Sequence, residues 1–152
     1  MEVRTTIVVD VGEGGTVPAR AHDGDAGYDL FASEDVCLEP MEYGLVPTGV
    51  RLEMPPGYEA QIRSRSGNAL KKGLFVMNSP GTVDSGYRGE IGVILFNASR
   101  AGVVVKKGDK VAQMVFCALP QVDLVKGAVG RRTERGADGF GSTGTIGGNE
   151  GE

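Results

Sequence analysis

Short apolar runs interrupted by glycine and proline are the feature that most restricts the fold of this chain. Apolar and polar side chains alternate over residues 50–54 and again over residues 58–62, which is the pattern of a half-buried strand. Such runs recur about every 8–12 residues, and no stretch has a long helical period. The chain has 25 glycines among 152 residues, and they fall between the apolar runs. The pattern therefore predicts an all-β sandwich or barrel.

The individual runs predict where the elements lie. The first strand is predicted over residues 3–11, and a turn follows over residues 12–15. Further strand pieces are predicted at residues 36–38, 45–46, 50–54, 58–62, 91–96, 110–117 and 123–125. The best helical stretch is a single turn over residues 68–72, with Ser66 as its N-cap. Gln113 lies among Val111, Val115 and Cys117 on one face of its strand. A buried amide needs hydrogen-bond partners, so Gln113 is either a structural bracket that joins neighbouring segments or a ligand contact.

Composition excludes several classes of function. The net charge of -4 argues against a sequence-independent nucleic-acid binder. No apolar run approaches the length of a membrane span, and the first residues do not resemble a secretory signal. The single histidine, His22, and the lack of a Cys-x-x-Cys pair argue against a zinc site. Cys37 and Cys117 are predicted to be buried free thiols, which fits a reducing cytoplasm.

Residues 78–91, with the sequence NSPGTVDSGYRGEI, contain two turn signals followed at once by a strand pattern. This pattern predicts that Asp84 and Tyr87 lie in a tight hairpin loop fixed to a rigid strand, where binding and catalytic groups are common. The alternative is a plain β-hairpin in which Asp84 only forms the turn. Since no histidine pattern supports catalysis, base chemistry in an enzyme would fall to a carboxylate.

Two further loops carry charged groups. Asp25 and Asp29 flank Gly27, and two loop carboxylates can support a hydrated Mg²⁺ ion. Alternatively, Asp25 caps a turn and Asp29 is solvated. Residues 63–69 combine Arg63 and Arg65 with the amides of a helix start, a combination that favours a phosphate group. The alternative is a capped helix with two surface arginines.

The segment after residue 130 is rich in glycine and too polar to pack by itself. It is either a disordered tail or an arm that binds phosphate and a base. The second interpretation depends on the guanidinium of Arg135, the hydroxyls of Ser142 and Thr143, and the single aromatic side chain, Phe140.

Five segments stand in order between residues 25 and 144: DAGYDLFA, RSGNA, GTVDSGYRGE, GDKVAQMVF and RGADGFGSTG. Together they resemble the five motifs of the trimeric dUTPase family. The resemblance implies a β jelly roll, a distorted barrel, with one short helix. Residues 1–130 would form this domain, and residues 131–152 a flexible C-terminal arm with the Gly-rich phosphate clamp. It also implies a homotrimer with active sites shared between chains. Composition and cysteine usage predict a cytoplasmic protein with neither nucleic-acid nor membrane partners.

The implied reaction is the Mg²⁺-assisted hydrolysis of dUTP to dUMP and diphosphate by attack of water on the α-phosphorus. This reaction would keep uracil out of DNA and supply dUMP for dTMP synthesis. The resemblance makes Asp84 the general base that orients and activates this water. Asp29 would hold waters of the Mg²⁺ shell, with the ion bound mainly by the triphosphate.

The resemblance also assigns the substrate contacts. Tyr87 would pack under the deoxyribose and exclude a ribose hydroxyl by contact. The uracil edge would be read by Asn78 and the backbone of Gly81, Thr82 and Val83, with Phe140 stacked on the ring. The phosphates would be bound by Arg65, Ser66, Gly67, Gln113, Arg135, Gly141, Ser142 and Thr143.

Two positions depart from the family pattern. Asn68 stands where an apolar residue is common, and Asp138 adds a negative charge beside the phosphate clamp. Two other functions remain open. One is a dCTP deaminase-like relative on the same fold, and the other is a non-catalytic nucleotide-binding jelly roll.

Overall fold

The structure, a computed structural model, describes residues 4–130 and 132–147, and these form an all-β fold with one short helix, as expected. The strands are β1 (Val8–Val11), β2 (Tyr28–Phe31), β3 (Val36–Leu38), β4 (Tyr43–Pro47), β5 (Val50–Glu53), β6 (Tyr58–Arg63), β7 (Leu74–Val76), β8 (Gly81–Asp84), β9 (Gly92–Asn97), β10 (Val103–Val105) and β11 (Lys110–Ala118). The helix, α1, spans Ser66–Lys72 and lies between β6 and β7.

The strands form the antiparallel sheets of a β jelly roll. The largest sheet has the order β2-β11-β6-β8, and a second has the order β4-β9-β7. Two further pairs, β1 with β5 and β10 with β3, complete the set. Alternate side chains of β5 and β9 point inward, and Val50 and Val93 are completely buried. The alternation read from the sequence therefore identified the core-facing side chains of these strands.

The β11 strand departs from simple alternation at its start. Its register with β2 shifts between Lys110 and Ala112, which is a β-bulge. As a result Val111 and Ala112 are both buried, although alternation predicts that they point to opposite faces. The bulge leaves Gln113 half-buried on the face opposite the core.

Two polar side chains are completely buried, and no sequence pattern predicts either of them. The amide of Asn97 donates to the carbonyls of Leu38, Glu39 and Ala101, and its oxygen accepts from Ser99. It thereby ties the end of β9 to the segment after β3. Thr48, between β4 and β5, is the second such residue.

Several expectations about local structure were wrong. The first strand begins at Val8, because residues 4–7 pair with no other strand, and Val3 lies outside the described residues. Residues 123–125 also form no strand. The thiols are free, but Cys37 is exposed and Cys117 is half-exposed. Each cysteine occupies the outward-facing position of its strand, which an apolar run alone does not reveal.

The chain divides into two compact units, one up to Gln121 and one from Val122. Every buried apolar residue of the core falls between Leu30 and Met114, in the first unit. The functional boundary expected at residue 130 falls inside the second unit and stays a prediction. Within the part of the chain that is described, no helix is long and apolar enough to cross a membrane.

Candidate active site

A cavity of about 320 Å³ brings together three segments that are far apart in the sequence. Its walls include Asp29 from β2, Gln113 from β11, and the start of α1. Arg65, Ser66 and Gly67 supply that third wall. Five residues predicted to bind phosphate or hold metal-bound water therefore line one cavity.

The carboxylate of Asp29 is held between two cations. Arg65 Nε lies 3.1 Å from Oδ1, and Lys110 Nζ lies 2.9 Å from Oδ2. The Asp29 side chain is only 13% exposed, so solvent screens these contacts less than at an open surface. Asp29, Arg65 and Lys110 together carry one positive charge, and Asp25 adds a negative charge to the cavity lining.

Sequence reasoning missed the role of Lys110 and noted Asn68 only as a departure. The Asn68 side-chain amide donates to the Lys110 carbonyl at 2.9 Å. The start of α1 is thus bound to β11 by the Asn68 hydrogen bond and to β2 by the Arg65–Asp29 ion pair. A polar residue at an otherwise apolar position was the signal that could have revealed this contact.

The start of α1 differs from the prediction. Arg65, not Ser66, occupies the N-cap position, with extended backbone angles (φ -96°, ψ 129°), and no side chain caps the helix. Ser66 is therefore the first helical residue and is exposed on the cavity wall. Arg63 and Arg65 also do not act together. Arg63 contacts Gln61 on β6, whereas Arg65 contacts Asp29.

Gln113 braces the cavity wall. Its Nε2 donates to the Ser64 carbonyl at 2.9 Å, and the Ser64 hydroxyl accepts from the Val76 amide at 2.9 Å. Its Oε1 faces Gly27, where any Cβ atom would overlap it. Gln113 is therefore a structural bracket, and a ligand contact by it stays a prediction.

Asp25 has the local role that the simpler interpretation gave it. Its Oδ2 accepts from the His22 backbone amide at 2.9 Å, and its own amide donates back to the His22 carbonyl. Asp25 therefore stabilises the turn before β2, although it also lines the cavity.

Asp84 and Tyr87 lie at the end of β8, but the predicted hairpin is wrong. Strand β8 pairs with β6, whereas β9 pairs with β4 and β7. Residues 85–91 therefore connect two sheets instead of two paired strands. The Tyr87 amide donates to the Asp84 carbonyl at 3.1 Å, which closes a tight turn, and both side chains are exposed.

The predicted base-reading residues lie on a sheet edge. Strand β8 is the last strand of its sheet, paired on one side only, through Gly81 with Ile62 and Val83 with Ala60. An edge strand presents unpaired backbone donors and acceptors on its free side. Asn78 is exposed just before this edge, with its side-chain nitrogen close to Gly81.

Asp84 and the cavity are far apart within one chain. Gln113 pairs with Arg63 on β6, and Asp84 pairs with Glu59 four residues further along the same strand. That offset is about 13 Å along the strand and about 10 Å across two strand spacings, or about 16 Å in all. A single chain therefore does not place this carboxylate beside the phosphate cavity.

The arm residues fall in the second unit and form local turns. Arg135 Nε donates to the Asp138 carbonyl at 3.0 Å, and the Asp138 amide donates to the Arg135 carbonyl at 3.1 Å. Asp138 thus meets Arg135 through its backbone, not its carboxylate. Phe140 is fully exposed, as are Ser142 and Thr143. These side chains are open to a ligand.

The described side chains offer no direct site for a metal ion. Within residues 4–130 and 132–147, no group of three or more histidine, cysteine or acidic side chains could hold one. Both Asp29 oxygens already face cations, so direct ligation would disrupt an ion pair. A contact through water between Asp29 and a phosphate-bound ion stays a prediction.

Comparison with known proteins identifies relatives along nearly the whole chain. The dUTPase family model matches residues 13–144. A deoxyuridine 5'-triphosphate nucleotidohydrolase of Clostridium kluyveri is 52% identical over 131 residues, covering 86% of this chain and 91% of the relative. One from a Hydrogenobaculum species is 49% identical over 139 residues, covering 91% and 96%.

Solved structures agree with the sequence comparison. The dUTPase of Staphylococcus bacteriophage 80alpha, solved with dUPNHPP, is 29% identical with a TM-score of 0.85, covering 92% of this chain and 99% of that one. A mutant dUTPase from phage phi11 of S. aureus, described with a structural Mg(II) ion, is 28% identical with a TM-score of 0.77, covering 84% and 99%.

Proposed function

This chain belongs to the dUTPase family, and we propose that it hydrolyses dUTP to dUMP and diphosphate through the residues assembled above. The observation that carries the proposal is the cavity in which Asp29, Arg65, Ser66, Gly67 and Gln113 converge. Such a reaction keeps uracil out of DNA and supplies dUMP. The free thiols are consistent with a reducing compartment, such as the cytoplasm.

The triphosphate binds in the cavity. The guanidinium of Arg65, the backbone amides of Ser66 and Gly67 and the Ser66 hydroxyl contact its oxygens, since charged donors make the strongest hydrogen bonds to phosphate. The Arg65–Asp29 ion pair fixes the guanidinium before the ligand arrives. Gln113 keeps this wall in place through Ser64.

Mg²⁺, when bound together with the triphosphate, would neutralise charge on the phosphate oxygens. Asp29 would hold waters of the Mg²⁺ shell, because its carboxylate lies at the cavity wall between Arg65 and Lys110. In the arm, the guanidinium of Arg135, the Gly141 backbone and the hydroxyls of Ser142 and Thr143 clamp the γ-phosphate. Phe140 stacks on the uracil ring.

Asp84 orients the attacking water and accepts its proton as the water attacks the α-phosphorus. A carboxylate is a weak base at neutral pH, so position and charge neutralisation provide most of the rate. Asn78 and the free edge of β8 read the uracil. Tyr87 packs against the deoxyribose.

The active site is shared between chains of a homotrimer. The separation of about 16 Å between Asp84 and the cavity of its own chain supports this, because a water activated by Asp84 must contact the α-phosphorus. A neighbouring chain therefore supplies the Asp84 edge to each cavity. The exposed phosphate-clamp side chains of the arm are consistent with closure over a site of another chain.

Diphosphate release from dUTP, dTTP, dCTP and UTP, measured side by side with Mg²⁺, tests the proposed function. We expect release from dUTP alone. Release from several nucleotides would show that the base-reading edge is wrongly assigned. Ammonia release from dCTP would indicate the deaminase instead, and binding without release would indicate a non-catalytic module.

Replacing Lys110 by glutamine should raise the KM for dUTP by roughly tenfold, with a smaller change in kcat, as expected for loss of a charged hydrogen-bonding group. The substitution removes one of the two cations on Asp29, so the group formed by Asp29, Arg65 and residue 110 loses its net positive charge. Steady-state kinetics at two salt concentrations would measure the effect. Lys71→Gln, on the exposed side of α1, is the matched control. An unchanged KM in Lys110→Gln would contradict the assignment.

A further inference from the structure

The ring of Tyr87 packs against its own loop, on Gly89 and the Glu90–Ile91 peptide, and these two elements are called the seat of the ring. Its hydroxyl donates to the Glu90 carbonyl at 2.9 Å. The ring passes over Gly89 so closely that a Cβ atom there would overlap the hydroxyl and come within 2.6 Å of Cζ. Because the ring is the far end of a flexible side chain, a Cβ atom at residue 89 would displace the ring and not the backbone.

The seat is joined directly to the buried core. The Glu90 carbonyl and the Ile91 amide belong to one planar peptide group. At its other end, this peptide donates from the Ile91 amide to the Val50 carbonyl at 2.8 Å. Val50 is completely buried and Ile91 is 3% exposed. One peptide group therefore connects the exposed Tyr87 hydroxyl to strand β5.

The turn between β4 and β5 also holds the two residues that flank this peptide. The Gly49 amide donates to the Glu90 carboxylate at 2.6 Å. The hydroxyl of Thr48 donates to the Ile91 carbonyl at 2.5 Å, and Thr48 is completely buried. Residues 90 and 91 thus make three hydrogen bonds to residues 48–50. The loop around Tyr87 is exposed, but the peptide beneath its ring is not free to move.

We propose that this seat, formed by Gly89 and the Glu90–Ile91 peptide, sets how strongly the site rejects a ribose. The inference rests on the proposed function, in which Tyr87 packs against the deoxyribose. A ring excludes an added hydroxyl only if it cannot retreat, and the Tyr87 hydroxyl prevents that retreat. Glu90 and Gly89 are therefore positioning residues, and the Tyr87 hydroxyl fixes its own ring instead of contacting substrate.

The variant Tyr87→Phe tests the seat, because it keeps the ring and removes the hydroxyl. We measure kcat/KM for dUTP, UTP and dTTP, and dissociation constants for the α,β-imido analogues of dUTP and UTP, which cannot be cleaved at that bridge. The preference for dUTP over UTP should fall about fivefold, the effect of losing one hydrogen bond. Gly89→Ala should lower it at least as much. The preference for dUTP over dTTP should stay within about twofold of wild type, since the base-reading edge is untouched.

Tyr43→Phe, at an exposed position of β4, is the matched control and should leave both preferences unchanged. A general loss of structure would lower all rates together without a selective change in the sugar preference. If the preference for dUTP over UTP is unchanged in both Tyr87→Phe and Gly89→Ala, in rates and in analogue binding, the proposed role of the seat is wrong. Failure of the wild-type protein to hydrolyse dUTP would overturn the proposed function separately, because analogue binding reports the seat without turnover.

Discussion

Replacement of Asp84 by asparagine should lower kcat for dUTP by about 10²–10⁴, the usual contribution of a general base, while leaving dUTP binding nearly unchanged. The amide has the size of the carboxylate but cannot accept a proton from the attacking water. Asp84 is exposed at the end of β8, and no side-chain partner of it is found within the described residues. The fold therefore loses no contact on substitution. Single-turnover rates and analogue binding would separate the chemical step from binding.

The control for this variant is Asp10→Asn, which makes the same chemical change at an exposed position of β1. It should leave kcat and binding unchanged. Turnover close to wild type in Asp84→Asn would contradict the assignment of the base. Weaker analogue binding at an unchanged kcat would instead make Asp84 a recognition residue.

The local elements of this fold were predictable where side chains alternate strictly. Val50 and Leu52 point into the core and Arg51 and Glu53 point outward, as the sequence indicates. The motifs also pointed to Arg65, Ser66, Gly67 and Gln113, which line one cavity, although their role in phosphate binding stays a prediction. Alternation and motif order are local properties of the sequence, and this is why they could be read without the structure.

Properties that depend on strand pairing could not be read in this way. The turn signals around Asp84 predict that the chain reverses there, but not which strands pair on either side. They therefore favour a hairpin where the structure has a connection between two sheets. The bulge at the start of β11 likewise depends on the register with β2. Lys110 meets Asp29 only because of that pairing.

The separation between Asp84 and the cavity is another consequence of register. Motif order places all five segments on one chain, whereas the pairing of β6 with β8 and β11 sets two of them about 16 Å apart. The resemblance implies shared sites, and this separation supports that prediction. The arm has no such geometric constraint, so its role depends on a functional experiment.

Truncation after Gly130 should leave the core folded and the trimer intact, with kcat/KM for dUTP at least about 10²-fold lower. The core is unaffected because every buried apolar residue lies between Leu30 and Met114. The loss in rate follows from the missing groups. Stacking of an aromatic ring on a base contributes about 1–3 kcal/mol, and hydrogen bonds to charged groups add about 1.5–3 kcal/mol each. Each 1.4 kcal/mol corresponds to about a tenfold change.

Truncation after Gly144 is the matched control, because it removes the end of the chain but keeps Arg135, Phe140, Ser142 and Thr143. It should retain most of the activity, so the two truncations together separate the clamp from mere chain length. Size-exclusion chromatography with light scattering would report assembly, and thermal unfolding would report the core. Loss of the trimer in the shorter variant would mean that residues 131–144 are structural. Full activity in that variant would mean that the cavity and the Asp84 edge suffice without closure, and the assigned roles of Phe140 and Arg135 would then be wrong.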